Sequence, residues 1–402
     1  MPYYFLASLA PWRFKNSFYS VFSVFSVAND SGDLMSSKLF SPFSIGGMAL
    51  ANRITVSPMC QYSAVDGSMN DWHVMHLGNL SLSGAALLIL EATHVTPEGR
   101  ITHHCSGLYS DENEAVLTRV VNFCRRVSPI KIGIQLAHSG RKGSAQRPWE
   151  GRGPLPPAER PWQTLAPSAI PLAPGWPAPR ALDRAGMEAV KQAFVDATRR
   201  AARIGFDLIE VHSAHGYLLN NFLSPLSNQR NDEYGGSLEN RMRYPLEVFA
   251  AMRAAWPADR PLGARIPGSD YVADAWGPED AVVYARELKK RGCDYVTVSG
   301  GGVVLDAKVP VKAGYQVPFA DQVRREAGIV SGAVGFISDP HQAEAIVASG
   351  KADFVSLARA MLFNPRWPWH AAVALGAEIS YPPQYERCAP KAWPPGATLG
   401  TR

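Results

Sequence analysis

Short apolar runs alternate with longer amphipathic segments from Lys38 to the end of the chain. Runs of four to six apolar residues bounded by turn residues predict buried strands, and apolar positions three and four apart predict helices. The strands are expected at Ile54–Ser57, Ala86–Glu91, Lys131–Leu136, Asp207–Val211, Leu262–Ile266, Tyr295–Val298, Ile329–Val334 and Phe354–Leu357. The helices are expected at Trp72–Ser83, Glu112–Arg126 (capped by Ser110 or Asp111), 187–204, Arg241–Ala255, 278–291, 318–327 and 340–349, with a last one from about Ala358. Val190, Phe194, Ala197 and Ala201 form the apolar stripe of the 187–204 segment. Eight strand–helix units in series predict a closed parallel (β/α)8 barrel of the TIM type, spanning 35–402 as one domain.

One connection breaks the rhythm. Residues 139–182, after the third strand, hold many prolines, four glycines before Pro154 and three tryptophans. Loops this long are functional or disordered, and the tryptophans favour a packed lid. The first 34 residues also stand apart. Arg13 and Lys15 precede an aromatic–serine run, and Ser26-Val27-Ala28 has the small residues of a cleavage site. The serines interrupt the apolar run, which favours a disordered extension ahead of a functional start at Met35.

Composition narrows the class. Of 402 residues 46% are apolar and 19% charged, which supports a large core. No apolar stretch reaches the ~18 residues of a membrane span. The net charge of +5 is spread along the chain, unlike the clustered charge of a nucleic-acid surface. Five scattered cysteines without a CxxC motif argue against a disulfide framework or zinc site, and for a reducing, cytoplasmic setting.

Barrel chemistry sits at the C-terminal ends of the strands. There the sequence places Ser57-Pro58-Met59-Cys60-Gln61-Tyr62, then Glu91-Ala92-Thr93, then Gln135 and His138. His212-Ser213-Ala214-His215-Gly216-Tyr217 follows the fourth strand and Arg265 ends the fifth. Gly300-Gly301-Gly302, Gly335-Phe336 and Ala358-Arg359 follow the last three. Glycines that expose backbone N–H groups, with Arg359 as a cation, suit a phosphate after strands seven and eight. Two histidines and a tyrosine within six residues suit a donor cluster: imidazoles for a substrate oxygen, Tyr217 to protonate carbon. A zinc or phosphate-sugar barrel enzyme using the same histidines is a rival reading, although no third ligand is evident.

The stretch VHSAHGYLLNNFLSPLSNQRNDEYGGSLENR (211–241) resembles the signature of the Old Yellow Enzyme family. SPMCQYS (57–63), EATHVTPEGRI (91–101), IQLAHSGRKGS (134–144), GYQVPFA (314–320) and GAVGFISDP (332–340) add to the resemblance in family order. PPQYERC (382–388) is similar to the tail of its thermophilic-like, xenobiotic-reductase-like bacterial subclass. The resemblance implies non-covalent FMN, NADPH or NADH as reductant, and small activated alkenes as oxidants. It implies His212 and His215 on the substrate oxygen, with His212 also among the residues that hold the cofactor and Tyr217 as proton donor. Gln135 and Arg265 would lie at the polar edge of the flavin, and Ser57, Pro58, Met59 and Ala92 along the ring. Gly335, Phe336, Ala358 and Arg359 would hold the phosphate. Cys60 would tune the flavin, Tyr62 would add a hydroxyl at the substrate, and Arg387 would reach a neighbouring subunit's site in a homodimer or homotetramer. His94, Ala313 and Pro267 depart from the family pattern, as does the length of the 139–182 segment. A non-catalytic FMN-binding barrel is a second rival. A dienoyl-CoA reductase-like protein would need a close cysteine set after the barrel, which this chain lacks.

Overall fold

Eight parallel strands close on themselves in the computed structural model, which describes residues 37–398. The proposed extension over 1–34 lies outside the described residues. In chain order the strands are β1 (Phe43–Ile45), β2 (Met48–Leu50), β3 (Ile54–Val56), β4 (Leu87–His94), β5 (Lys131–Ala137), β6 (Leu165–Ala166), β7 (Arg180–Ala181), β8 (Leu208–His212), β9 (Leu262–Ile266), β10 (Tyr295–Val298), β11 (Val330–Ala333) and β12 (Phe354–Leu357). The helices are α1 (Asp71–Ser81), α2 (Asp111–Val127), α3 (Arg184–Ile204), α4 (Leu218–Leu223), α5 (Leu238–Ala255), α6 (Pro278–Lys290), α7 (Val317–Ala327), α8 (Pro340–Ala348), α9 (Arg359–Phe363) and α10 (Trp367–Ala374). The ring runs β3-β4-β5-β8-β9-β10-β11-β12 and returns to β3, which is the expected (β/α)8 barrel.

Local chemistry accounts for the helix ends. The Ser110 side chain accepts the Asn113 N–H and starts α2, and Asp183 does the same for α3 through Gly186. Gly205 ends α3 in the left-handed region, at φ 89°. Four differences from the expected elements have physical causes. Residues 43–50 form an antiparallel hairpin, β1–β2, because Phe43-Ser44-Ile45 and Met48-Ala49-Leu50 alternate around Gly46-Gly47. β4 runs on to His94 past a bulge at Leu90/Ala92 and keeps pairing with β5. α4 is only six residues long, too short for helical periodicity to show. The last helix splits into α9 and α10 at Asn364-Pro365, where proline cannot continue a helix.

Alternation along the strands builds the interior in layers. Leu88, Leu90, Ile132, Ile134, Ile209, Val211, Val296 and Val298 pack outward with the helices in the main core. Leu87, Ile89, Leu208, Tyr295 and Phe354 belong to a second cluster with Ile45, Met48 and Leu50. The hairpin therefore plugs the N-terminal end of the barrel. Glycines make room for this layer: a Cβ on Gly263 would lie 2.0 Å from the Tyr295 ring, and one on Gly332 2.3 Å from Phe354. One and two alternation steps further along, the inward positions turn polar: Gln135, Glu210, Arg265 and Thr297, then His212 and Ser299. The same period of two that seals one end delivers the chemistry to the other.

The 139–182 segment is packed. It buries Ala145, Leu155, Leu165, Ala166 and Leu172, and β6 and β7 pair within it. The buried Arg141 guanidinium donates within the segment to Pro171 O at 3.1 Å and ties it to the loop after β10 through Val303 O at 2.6 Å. Among the described residues, no helix is long and apolar enough to cross a membrane.

Candidate active site

The polar end of the barrel opens into a cavity of about 470 Å³. Ser57, His215, Arg265, Ser299, Gln316, Gly335, Phe336, Ala358 and Arg359 are among its lining residues. Arg265 Nη1 donates to Ser57 Oγ at 3.2 Å. Burial lowers the Arg265 pKa, and the nearby Glu210 raises it. Gln135 Nε2 donates to Glu210 Oε1 at 2.7 Å. Glu210 also accepts from Thr297 Oγ1 at 2.9 Å, and burial raises its pKa. Gly335 and Phe336 take positive φ, 109° and 52°, in the loop after β11. The Arg359 guanidinium lies over the Phe336 ring, 4.0 Å from its centroid.

The turn after β8 is held from all sides. His215 adopts φ 60°, which a non-glycine residue takes only where its surroundings impose it. Asn220 Oδ1 accepts the Gly216 N–H at 2.7 Å, and Asn221 Nδ2 donates to Gly216 O at 2.9 Å. A Cβ on Gly216 would sit 2.2 Å from Gly302 O, so the glycine run after β10 packs against this turn. Lys142 Nζ donates to His215 O at 2.7 Å and to Gly302 O at 3.0 Å. These contacts bring His212 Nε2 and His215 Nδ1 to 3.3 Å. The His212 and Tyr217 rings meet edge to face at 4.7 Å. Burial, reinforced for His212 by His215 and for His215 by Arg265, drives both histidine pKa values well down. Burial raises the Tyr217 pKa well above the ordinary phenol value, so its hydroxyl keeps its proton.

Cys60 and Tyr62 pack beside Tyr217 against Ile101 and Cys105, from the loop after β4, and Ala145 and Trp176 of the long segment. Trp149 of the same segment meets the Tyr62 ring at 6.0 Å. Burial, then Glu91, raises the Cys60 pKa, so Cys60 is a thiol and not a thiolate. All five cysteines are free. Ala92 is buried at the β4 bulge, and Pro58 and Met59 continue from the end of β3. Arg387 stands apart from this group, exposed in the 3-10 turn Pro383–Cys388. Among the described residues, no three His, Cys, Asp or Glu side chains are arranged to hold a metal ion, so the histidine pair has no third ligand.

The chain matches the model of the NADH:flavin oxidoreductase / NADH oxidase family over residues 38–377. It belongs to that family. This is the Old Yellow Enzyme assignment that the motifs suggested. An NADPH dehydrogenase of Geobacillus thermodenitrificans is 46% identical over 355 residues, 88% of this chain and 99% of the relative. One from Halalkalibacterium halodurans is 41% identical over the same shares. Among solved structures, morphinone reductase is 28% identical with a TM-score of 0.71, over 87% of this chain and 93% of that one. An old yellow enzyme homologue from Zymomonas mobilis shares the fold at TM-score 0.70 and 24% identity, over 86% and 94% of the two chains. A 2-naphthoyl-CoA reductase shares the fold at TM-score 0.75 and 22% identity, and this chain spans about half of its length. The protein is thus an oxidoreductase of an FMN-using family, with a reduced nicotinamide as electron source.

The residues present fit FMN. Arg265 Nε is buried without a partner beside the cavity, and the cavity's far end carries the Gly335 loop and Arg359. Three residues of this architecture were not singled out from the sequence: Lys142, Gln316 and Ser299. Ser299 was within reach, since it continues the inward series Tyr295, Thr297. Lys142 lies in a motif read for other reasons, and nothing local marks its contacts.

His94 departs from the family pattern and does not open onto the cavity. It is fully buried with Nδ1 3.0 Å from Ser106 O, and burial lowers its pKa from 6.5 to about 4. Burial, helped by His94, lowers the pKa of His138 to about 3. Below pH 6.5 the unfolded chain binds protons that the folded chain refuses, so stability falls on acidification. Unfolding by urea is expected to become easier from pH 6.5 to 4, with His94 alone costing on the order of 3 kcal/mol. A His94→Gln variant with an unchanged acid slope would remove His94 from this account.

Proposed function

We propose that the protein is an ene-reductase that draws electrons from NADPH and reduces α,β-unsaturated carbonyl or nitro compounds. The observation that carries this reading is the convergence of His212 Nε2 and His215 Nδ1, 3.3 Å apart, beside a protonated Tyr217, with His215 lining the cavity. FMN, when bound, supplies the hydride that goes to the β-carbon of the alkene. Gln135 and Arg265 would hold its polar edge, Ser57, Pro58, Met59 and Ala92 its ring, and Gly335, Phe336, Ala358 and Arg359 its phosphate. His212 and His215 hold the carbonyl or nitro oxygen, and their hydrogen bonds strengthen as charge builds there. Tyr217 gives its proton to the α-carbon. Tyr62 adds a second hydroxyl on the same side, where Trp149 and Trp176 wall the site. Under argon, the purified yellow protein should consume one NADPH per cyclohexanone formed from cyclohexenone. NADPH consumption without saturated product, across maleimide and nitroalkenes as well, would reject the reading.

Two further residues take roles. Cys60 is a neutral thiol beside the ring site, and its dipole tunes the flavin. Cys60→Ala is expected to shift the midpoint potential of the bound flavin, and an unmoved potential would leave Cys60 as a small buried apolar residue. Arg387, Tyr385 and Trp393 are all exposed in the C-terminal stretch of the described residues. Arg387 completes the site of a neighbouring subunit in a dimer or tetramer. Arg387→Ala should raise KM for alkenes several-fold with flavin content unchanged. A monomer by light scattering with wild-type KM would refute the shared site.

A further inference from the structure

The two site histidines face each other through one nitrogen each, and the other nitrogen of each ring is committed elsewhere. Those commitments fix the ring protons. His212 Nδ1 lies 3.1 Å from the Ala214 backbone N–H. A backbone amide only donates, so Nδ1 accepts and the neutral ring carries its hydrogen on Nε2.

His215 Nε2 lies 2.8 Å from Ser299 Oγ, and a hydroxyl can donate or accept. The other neighbours of Ser299 decide between the two. Arg265 Nη2 stands 3.4 Å from the oxygen and can only donate. Gln316 Nε2 stands at 3.4 Å, and the orientation of that amide is set because its Oε1 accepts the Gly300 N–H at 2.7 Å. Ser299 Oγ therefore faces two donors, and its own hydrogen has His215 Nε2 as acceptor. His215 must then carry its hydrogen on Nδ1. His212 Nε2 and His215 Nδ1 stand 3.3 Å apart, within hydrogen-bond reach, and with a hydrogen on each neither can accept from the other.

We propose that Ser299, oriented by Arg265 and Gln316, sets the tautomer of His215 and so makes the histidine pair a neutral double donor. The proposal rests on the reading of His212 and His215 as the oxygen site. Ser299 acts on the substrate oxygen only through His215 and is a positioning residue. A carbonyl, nitro or phenolate oxygen has the two lone pairs that the gap demands. A group that presents an N–H there meets two like donors and is rejected. Without the Ser299 hydroxyl, His215 is free to move its hydrogen to Nε2. Its Nδ1 would then accept the His212 N–H across the gap, and the site would satisfy itself internally.

The test uses holoprotein labelled with 15N in histidine, in which two-bond 1H–15N correlations separate protonated from bare ring nitrogens. Ligand-free wild-type protein is expected to show His212 protonated on Nε2 and His215 on Nδ1. Ser299→Ala should switch His215 to Nε2–H and weaken 4-hydroxybenzaldehyde, a phenolate probe, about 10-fold or more. Ser299→Thr should restore both. His215 found as Nε2–H or as imidazolium in the wild type would overturn the proposal, and that spectrum needs no variant to fold. Retained Nδ1–H and unchanged affinity in Ser299→Ala would overturn it too. The doubly substituted His212→Ala/His215→Ala protein separates the two claims. If it loses the probe while wild-type His215 is Nε2–H, only the tautomer proposal fails. If it keeps the probe, the oxygen site itself fails.

Discussion

Tyr217→Phe should slow alkene reduction by about 10²–10⁴-fold while leaving reduction of the flavin by NADPH near the wild-type rate. The asymmetry follows from where the residue sits. Its ring meets His212 edge on, and it packs with Cys60 and Tyr62, where the proposed substrate would bind. Burial raises its pKa well above the ordinary phenol value, so its hydroxyl keeps a proton to give. Flavin reduction needs no proton from this position. Stopped-flow traces of the two half-reactions check it directly: equal slowing of both would mean that the substitution had disturbed the site as a whole. The phenyl ring of the variant preserves the edge-to-face contact, which makes that general disturbance separable.

Replacing both His212 and His215 with alanine should reduce alkene turnover by at least about 10²-fold and abolish phenolate binding, with FMN retained. Two donors aimed at one oxygen are lost together, in a site where burial makes each worth more than in water. Retention of FMN is expected because Gln135, Arg265 and Arg359, on β5, β9 and α9, are left in place. Titration with 4-hydroxybenzaldehyde, alongside flavin content by absorbance, measures both halves of the claim. Unchanged probe affinity would move the oxygen site elsewhere in the cavity.

Most of the barrel is legible because strands with period two and helices with period 3.6 announce themselves in long segments. The β1–β2 hairpin carried a readable signal in Ile45-Gly46-Gly47-Met48. It belongs to no strand–helix unit of the barrel, so the barrel rhythm does not mark it. α4 could not be read, since six residues inside the HGYLLNNFL stretch show no helical stripe. At the site, His212, His215, Tyr217 and Arg265 were visible as polar residues at strand ends, where a barrel must place its chemistry. Ser299 follows from the same alternation. Its effect on His215 does not, because the direction of one hydroxyl hydrogen depends on Arg265 from β9 and Gln316 from the loop before α7. Lys142 is similarly silent in sequence: its two carbonyl partners lie 73 and 160 residues away.

Electrons taken from NADPH are expected to leave to an alkene. Reducing the yellow holoprotein with one equivalent of NADPH under argon and then mixing it with cyclohexenone tests this. The flavin absorbance at ~450 nm should return in a single turnover, with one equivalent of cyclohexanone formed. Protein that stays bleached with cyclohexenone, maleimide and a nitroalkene, yet recovers its colour on admitting oxygen, would contradict it.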